Sequence, residues 1–126
     1  SLMKRHWTWN GELVCYATRG KHTFNFPDDG HALSVWTMTK SSDGSHPTQK
    51  PVEVITHAVV HSSKRGDIVL DSFAGSGTTL VACQNLNRKC YAIEISESYC
   101  AVILERMATA FPDIEIKRIE DAKAAN

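Results

Sequence analysis

At 126 residues, 42% of them hydrophobic, the chain has material for one modest core and no more. Its 14 Lys and Arg balance its 14 Asp and Glu, which argues against a strongly basic, self-sufficient nucleic-acid binder. Cys15, Cys83, Cys90 and Cys100 form no Cys-x-x-Cys pair and have no His at ligand spacing. No metal is therefore expected, nor a secreted disulfide framework, and a reducing cytoplasm is the expected compartment. No apolar run reaches membrane-spanning length, so no membrane partner is expected.

Ser1-Leu2 precede Met3 as an expression remnant would, and are set aside. Glu12 to Ala17 reads as a short strand closed by Arg19-Gly20. Pro27, Asp28, Asp29 and Gly30 supply turn chemistry, and Ala32 to Met38 alternates as a second strand. From His46 the pattern sharpens. Pro51 fits a first helical turn, and Val52, Ile55, Ala58 and Val59 recur at helical spacing up to a Lys64-Arg65-Gly66 cap. Asp67 to Asp71 is an apolar strand, Phe73 to Gly77 a glycine turn and Thr78 to Leu86 a short helix, with Asn87 suited to a left-handed cap. Cys90 to Ile95 is the next strand. Ser96 caps a helix whose apolar face is Cys100, Ile103, Leu104, Met107 and Phe111. Ile114 to Ile119 reads as a last strand. Within the two apolar helices, Cys83 and Cys100 are expected as buried free thiols.

Strand, helix, strand, helix, strand predicts a parallel sheet with crossover helices, and wholly apolar strands predict cover on both sheet faces. The expected fold is α/β: a partial doubly wound, Rossmann-like domain. In such sheets ligands sit beyond the carboxyl ends of the strands. Asp71-Ser72-Phe73-Ala74-Gly75-Ser76-Gly77-Thr78-Thr79 lies at such an end and opens a helix. Gly75 and Gly77 let backbone approach a ligand, and Glu94, about 20 residues on, suits the two hydroxyls of a ribose. Leu80 stands where a dinucleotide fingerprint needs its third glycine, and no Lys follows Gly77 as a P-loop requires. A cofactor with a ribose and no pyrophosphate fits better, and a nicotinamide-dependent domain is the weaker reading.

His46-Pro47-Thr48-Gln49-Lys50-Pro51, then the Asp71 to Thr79 motif, then Ile93-Glu94-Ile95 resemble the permuted DNA adenine-N6/cytosine-N4 methyltransferase family. The resemblance covers Glu12 to Met107, with Ser72 where the family usually has Pro. It implies S-adenosylmethionine as cofactor. The implied contacts are Phe73, Ala74, Gly75, Gly77 and Thr78 at the methionine end, Glu94 at the ribose, and Ile93 and Ile95 beside the adenine. Thr48 and Lys50 would engage the methionine carboxylate, an acceptor that charged donors hold well. Asp71 would either join the site or fix backbone amides of the turn.

The family binds its target amine with an Asp/Asn/Ser-Pro-Pro-aromatic segment and stacks the flipped base on the aromatic. Pro27, Pro47, Pro51 and Pro112 are all isolated here, so no residue is carried over as catalytic. The resemblance implies a C-terminal part of a DNA methyltransferase acting on adenine or cytosine amines. Its DNA would be bound through the portion not represented. The other reading is a cofactor-binding or partner-binding module completed by a separate catalytic polypeptide. Residues 3–45 would be a partial target-recognition segment, 46–119 the cofactor-binding half-domain and 120–126 a tail. Trp7, Trp9 and Trp36 are expected in packing, and Arg19, Lys21 and His22 as a basic turn. An exposed edge there, with Val14, Tyr16 and Val35, would favour a homo-oligomer.

Overall fold

The computed structural model describes residues 11–21, 24–27, 30, 32–37 and 51–119. Its elements are α1 (Val52–Ser62), β1 (Ile68–Asp71), α2 (Thr78–Asn85), β2 (Lys89–Ala92) and α3 (Glu97–Ala110). β1 and β2 pair in parallel, Ile68 opposite Lys89 and Asp71 opposite Ala92. Parallel neighbours need a crossover, which α2 provides. The α/β alternation expected from Pro51 onward is present. Asn87 does adopt the left-handed conformation, at φ 56°, and Ser96 does cap α3, its side chain accepting from the Tyr99 amide at 3.4 Å.

Three expected strands do not form. Residues 12–17, 32–37 and 114–119 carry no ladder, although their sequences alternate. Alternation makes a strand only when a neighbour accepts its hydrogen bonds. Here Leu13, Val35 and Ile119 are exposed to solvent. Gly66, expected to cap α1, has another task. The helix ends earlier, at Ser62, and Gly66 at φ 86° turns the chain into β1 while donating to the Asn87 carbonyl at 2.8 Å.

The core lies between the helices and one face of the sheet. Val59, Ala74, Val81, Ala82, Cys83 and Ile103 are buried. Cys83 matches its expected burial, whereas Cys100 is only half-buried and Leu104 of the expected α3 face is exposed. All four cysteines are free. The Cys90 thiol is pushed up to about 12, by burial first and then by its neighbour Cys83, so it is protonated and inert at neutral pH. Of the cover expected on both sheet faces, the described residues supply one. Ile68 and Leu70 of β1 and Tyr91 of β2 point away from α2 and are each at least 60% exposed. Apolar strands record that a face is meant to be covered, and the covering group is not among the described residues.

The residues before α1 are fastened to its end. The last carbonyls of a helix have no partner within it. Asn25 supplies several: its side-chain amide donates to Val60 and Ser63 carbonyls at 2.8 and 2.7 Å, and its backbone amide to His61 at 2.8 Å. His61 Nδ1 donates back to the Asn25 carbonyl at 2.5 Å. The Arg88 guanidinium donates to the Ser63 carbonyl at 2.8 Å, a cation placed at the negative end of the helix. Phe24 stacks on His61, and Trp36 meets His57 edge-on. Trp36 is therefore a packing residue, as expected; Trp7 and Trp9 lie outside the described residues.

The tightest fit is between the glycine turn and α3. A Cβ built on Gly77 would stand 3.0 Å from Ile103 Cγ1, and Gly77 sits at φ 80°. Gly75 is also left-handed, at φ 53°, but a Cβ there would meet nothing closer than the Phe73 carbonyl at 4.0 Å. Gly75→Ala should cost about 1–2 kcal/mol, the backbone penalty alone. Gly77→Ala should cost about 2–4 kcal/mol, since buried Ile103 cannot withdraw. Thermal or urea unfolding of the two variants checks the order. Equal losses would mean that α3 does not press on the turn.

Candidate functional site

β1 and β2 end side by side, and both chains continue into the same corner. The Ile93 amide donates to the Asp71 carbonyl at 2.9 Å, and the Ala74 amide to the Ile93 carbonyl at 3.0 Å. The Asp71 carboxylate accepts from the Phe73 amide at 3.0 Å. An aspartate bonding an amide two residues on fixes a turn locally. Asp71 thus fills the turn-fixing role that was one of its two expected roles.

Glu94 ties the two strand ends together. One carboxylate oxygen accepts from the Gly75 amide at 2.7 Å and the other from the Ser96 amide at 2.8 Å. These contacts, Ser96 first, hold its carboxyl below the ordinary 4.5, although partial burial and the Asp71 carboxylate oppose them. The group is ionised at neutral pH. Each carboxylate oxygen has a second lone pair, so acceptor capacity remains for incoming hydroxyls.

Nine of the eleven expected cofactor residues are described, and they gather at this corner. Their side chains divide into two sets. Phe73 and Ile95 are 92% and 97% exposed, with Ile93 exposed beside Glu94. They form an apolar rim on an open ledge. Ala74 and Thr78 are buried at 7% each, and Gly77 lies against Ile103. Those three face the protein and can meet a ligand only through backbone. Thr48 and Lys50 lie outside the described residues. Clefts of about 420 Å³ along α1 and about 440 Å³ beside Arg19 and Lys64 both lie away from the turn.

Two participants escaped the sequence reading. Arg106, on α3, donates through Nη1 to the Ser76 carbonyl at 3.0 Å, the Ser76 hydroxyl at 3.4 Å and the Thr78 hydroxyl at 3.2 Å. A helix arginine between Glu105 and Met107 gives no sign in the sequence of where its guanidinium lands. The available hint is its spacing from Ile103, which places both on one face of α3. Ser76 lies inside the glycine turn, where the flanking glycines carry the stronger sequence signal.

Among the described residues no group of three His, Cys, Asp or Glu could hold a metal, and no helix is long and apolar enough to cross a membrane. The sequence profile of the DNA methylase family matches residues 4–105. Type II methyltransferase M2.LlaDCHI of Lactococcus lactis subsp. cremoris is 33% identical over 122 residues, spanning 85% of this chain and 45% of its own length. M.HinfI of Haemophilus influenzae is 32% identical over 121 residues, 81% of this chain and 34% of its own. The chain thus spans less than half the length of these relatives. Among solved structures, the M1.HpyAVI–SAM complex superposes with a TM-score of 0.62 at 35% identity, over 68% of this chain and 43% of that one. TTHA0409 of Thermus thermophilus, complexed with S-adenosyl-L-methionine, gives 0.50 at 37% identity, over 52% and 27%. The partial Rossmann-like fold and the family are therefore those read from the motifs: the chain belongs to the N6/N4 DNA methylase family.

Proposed function

We propose that this chain is the cofactor-binding half of an S-adenosylmethionine-dependent DNA amino-methyltransferase, with the exocyclic amine of adenine as its first target and that of cytosine as its second. The observation that supports it most is the Glu94 carboxylate, held beyond the carboxyl ends of two parallel strands and bonded to the Gly75 amide at 2.7 Å. The corner fits the cofactor in three respects. Glu94 keeps free lone pairs for the ribose hydroxyls, Gly75 leaves open space above its Cα, and Phe73, Ile93 and Ile95 offer exposed apolar surface to the adenine.

When bound, the cofactor supplies an activated methyl on its sulfonium. The residues here bind and orient it. Glu94 anchors the ribose, the glycine turn lies at the methionine end, and Thr48 and Lys50 are proposed to take the carboxylate. Selecting and stacking a base needs groups that these 126 residues do not contain, for there is no Pro-Pro-aromatic segment in the sequence. That segment comes from elsewhere, in the same polypeptide or a separate one. The open sheet face at Ile68, Leu70 and Tyr91 is consistent with such a partner. A second copy of the chain is the other candidate for that face.

Calorimetric titration with S-adenosylmethionine should give binding to the wild-type chain and an affinity about 30- to 1000-fold lower for Glu94→Ala, the loss of two hydrogen bonds to a charged acceptor. Equal affinities would remove Glu94 from the site. With tritiated cofactor and mixed-sequence duplex, the chain alone should incorporate no methyl groups. Incorporation abolished by Gly75→Asp would reveal a catalytic site within it. The ionised Glu94 also stabilises the fold. Because its folded pKa is lowered, that contribution is complete above about 4.5 and fades as pH falls through the folded value. The melting-temperature gap between wild type and Glu94→Gln should accordingly shrink below about pH 4.5. A gap independent of pH would show that the charge is not what holds the turn.

A further inference from the structure

The amides of the glycine turn are almost all committed. Phe73 donates to Asp71, Ala74 to Ile93, Gly75 to Glu94 and Gly77 to the Ala74 carbonyl at 2.9 Å. The Ser76 amide alone of this run has no hydrogen-bond partner among the described residues. It is the donor of this run left for a ligand; it lies in the Gly75–Ser76 plane, which is held between the Gly75 amide bonded to Glu94 and the Ser76–Gly77 plane. The Ser76–Gly77 plane is gripped at both ends. Its N–H is bonded to Ala74, and its C=O accepts from Arg106 at 3.0 Å. A peptide unit is rigid, so two fixed ends fix the plane.

Arg106 does this from a firm base. Ile103, one turn earlier on α3, is buried against Gly77. The guanidinium therefore arrives behind the turn on a helix that cannot slide away. From there one nitrogen reaches three oxygens on Ser76 and Thr78. A planar, always-charged group with several donors suits several acceptors in a way that a lysine ammonium does not.

We propose that Arg106 is a positioning residue for cofactor binding: from behind the turn it sets the Ser76–Gly77 peptide, so that the Ser76 amide is presented to the ligand before the ligand arrives. This rests on the cofactor reading above and extends it to α3. Preorganisation of this kind acts on affinity by removing an ordering cost at binding.

The test compares wild type, Arg106→Met and Arg106→Lys in the full 126-residue chain. Amide hydrogen exchange is followed by NMR without ligand, and S-adenosylmethionine affinity by calorimetry. In Arg106→Met, exchange at Gly77, whose amide is bonded to Ala74, should accelerate about tenfold while Val69 and Tyr91 of the ladder stay protected, and affinity should fall about tenfold. Arg106→Lys should recover part of both, since an ammonium can serve one of the three oxygens. Faster exchange spread evenly over the chain, or unchanged affinity well below the melting temperature, overturns the proposal and leaves Arg106 as a general staple. Should the Met variant fail to fold, the Lys variant decides by the same selective pattern. A wild-type chain that binds no S-adenosylmethionine removes the cofactor reading, and with it the ligand role of Arg106. Exchange in the free protein then separately shows whether Arg106 sets the turn.

Discussion

The carboxylate of Glu94 closes a gap that the parallel pairing of β1 and β2 leaves open. Parallel strands cannot be joined by a tight turn, so their carboxyl ends diverge into separate loops. Glu94 reaches from the end of one to the Gly75 amide of the other and to the start of α3. A single ionised side chain thus holds both loops in one corner, in a place where a neutral residue would leave two amides to water. The arrangement at Asp71, the burial of Ala74 and the seating of Gly77 on Ile103 are all consistent with the position it imposes. The same charge that organises the corner retains acceptor capacity toward the ledge, so structure and recognition draw on one group.

What the sequence conveyed divides at Pro51. After it, the elements that form carry local signals, namely a capping Ser96, a left-handed Asn87 and apolar periodicity in α1 and α3, and the alternation of residues 114–119 is what misled there. The motif from Asp71 to Thr79 and the acid at Glu94 were legible because strand ends and glycine turns have few alternatives. Before Pro51 the same alternation misled. Residues 12–17 and 32–37 have the composition of strands, yet a strand is a pairwise object, and pairing partners cannot be read from one segment. The missed Arg106 belongs to the same class. Its role lies in where a long flexible side chain ends, which depends on α3 packing against α2 and not on any spacing in the chain.

Among the described residues the sheet has two strands and one covered face. Two strands with one covered face seldom persist on their own, and here Ile68, Leu70 and Tyr91 meet solvent on the uncovered one. The described core is correspondingly small and centres on α2, with Ala82 and Cys83 fully enclosed. Stability is thereby concentrated around the crossover helix and the glycine turn that starts it. Disturbing that turn acts on the core at once, as the contact between Gly77 and Ile103 implies.

The clasp at Asn25 has a consequence for how this lineage can vary. Phe24 and Asn25 are fixed at the C-terminal end of α1, and Pro51 begins the same helix. An 11-residue helix is about 16 Å long. The clasp at Asn25 and the helix start at Pro51 are therefore two points that one rigid rod holds apart, and Trp36 meets the rod between them, at His57. A segment anchored in this way can lengthen or shorten with little effect on the body that carries it, since doubling a loop costs only about 0.6 kcal/mol in closure entropy. Changes of length between the Asn25 clasp and Trp36 are thus cheaper for this domain than any in the corner built on Glu94.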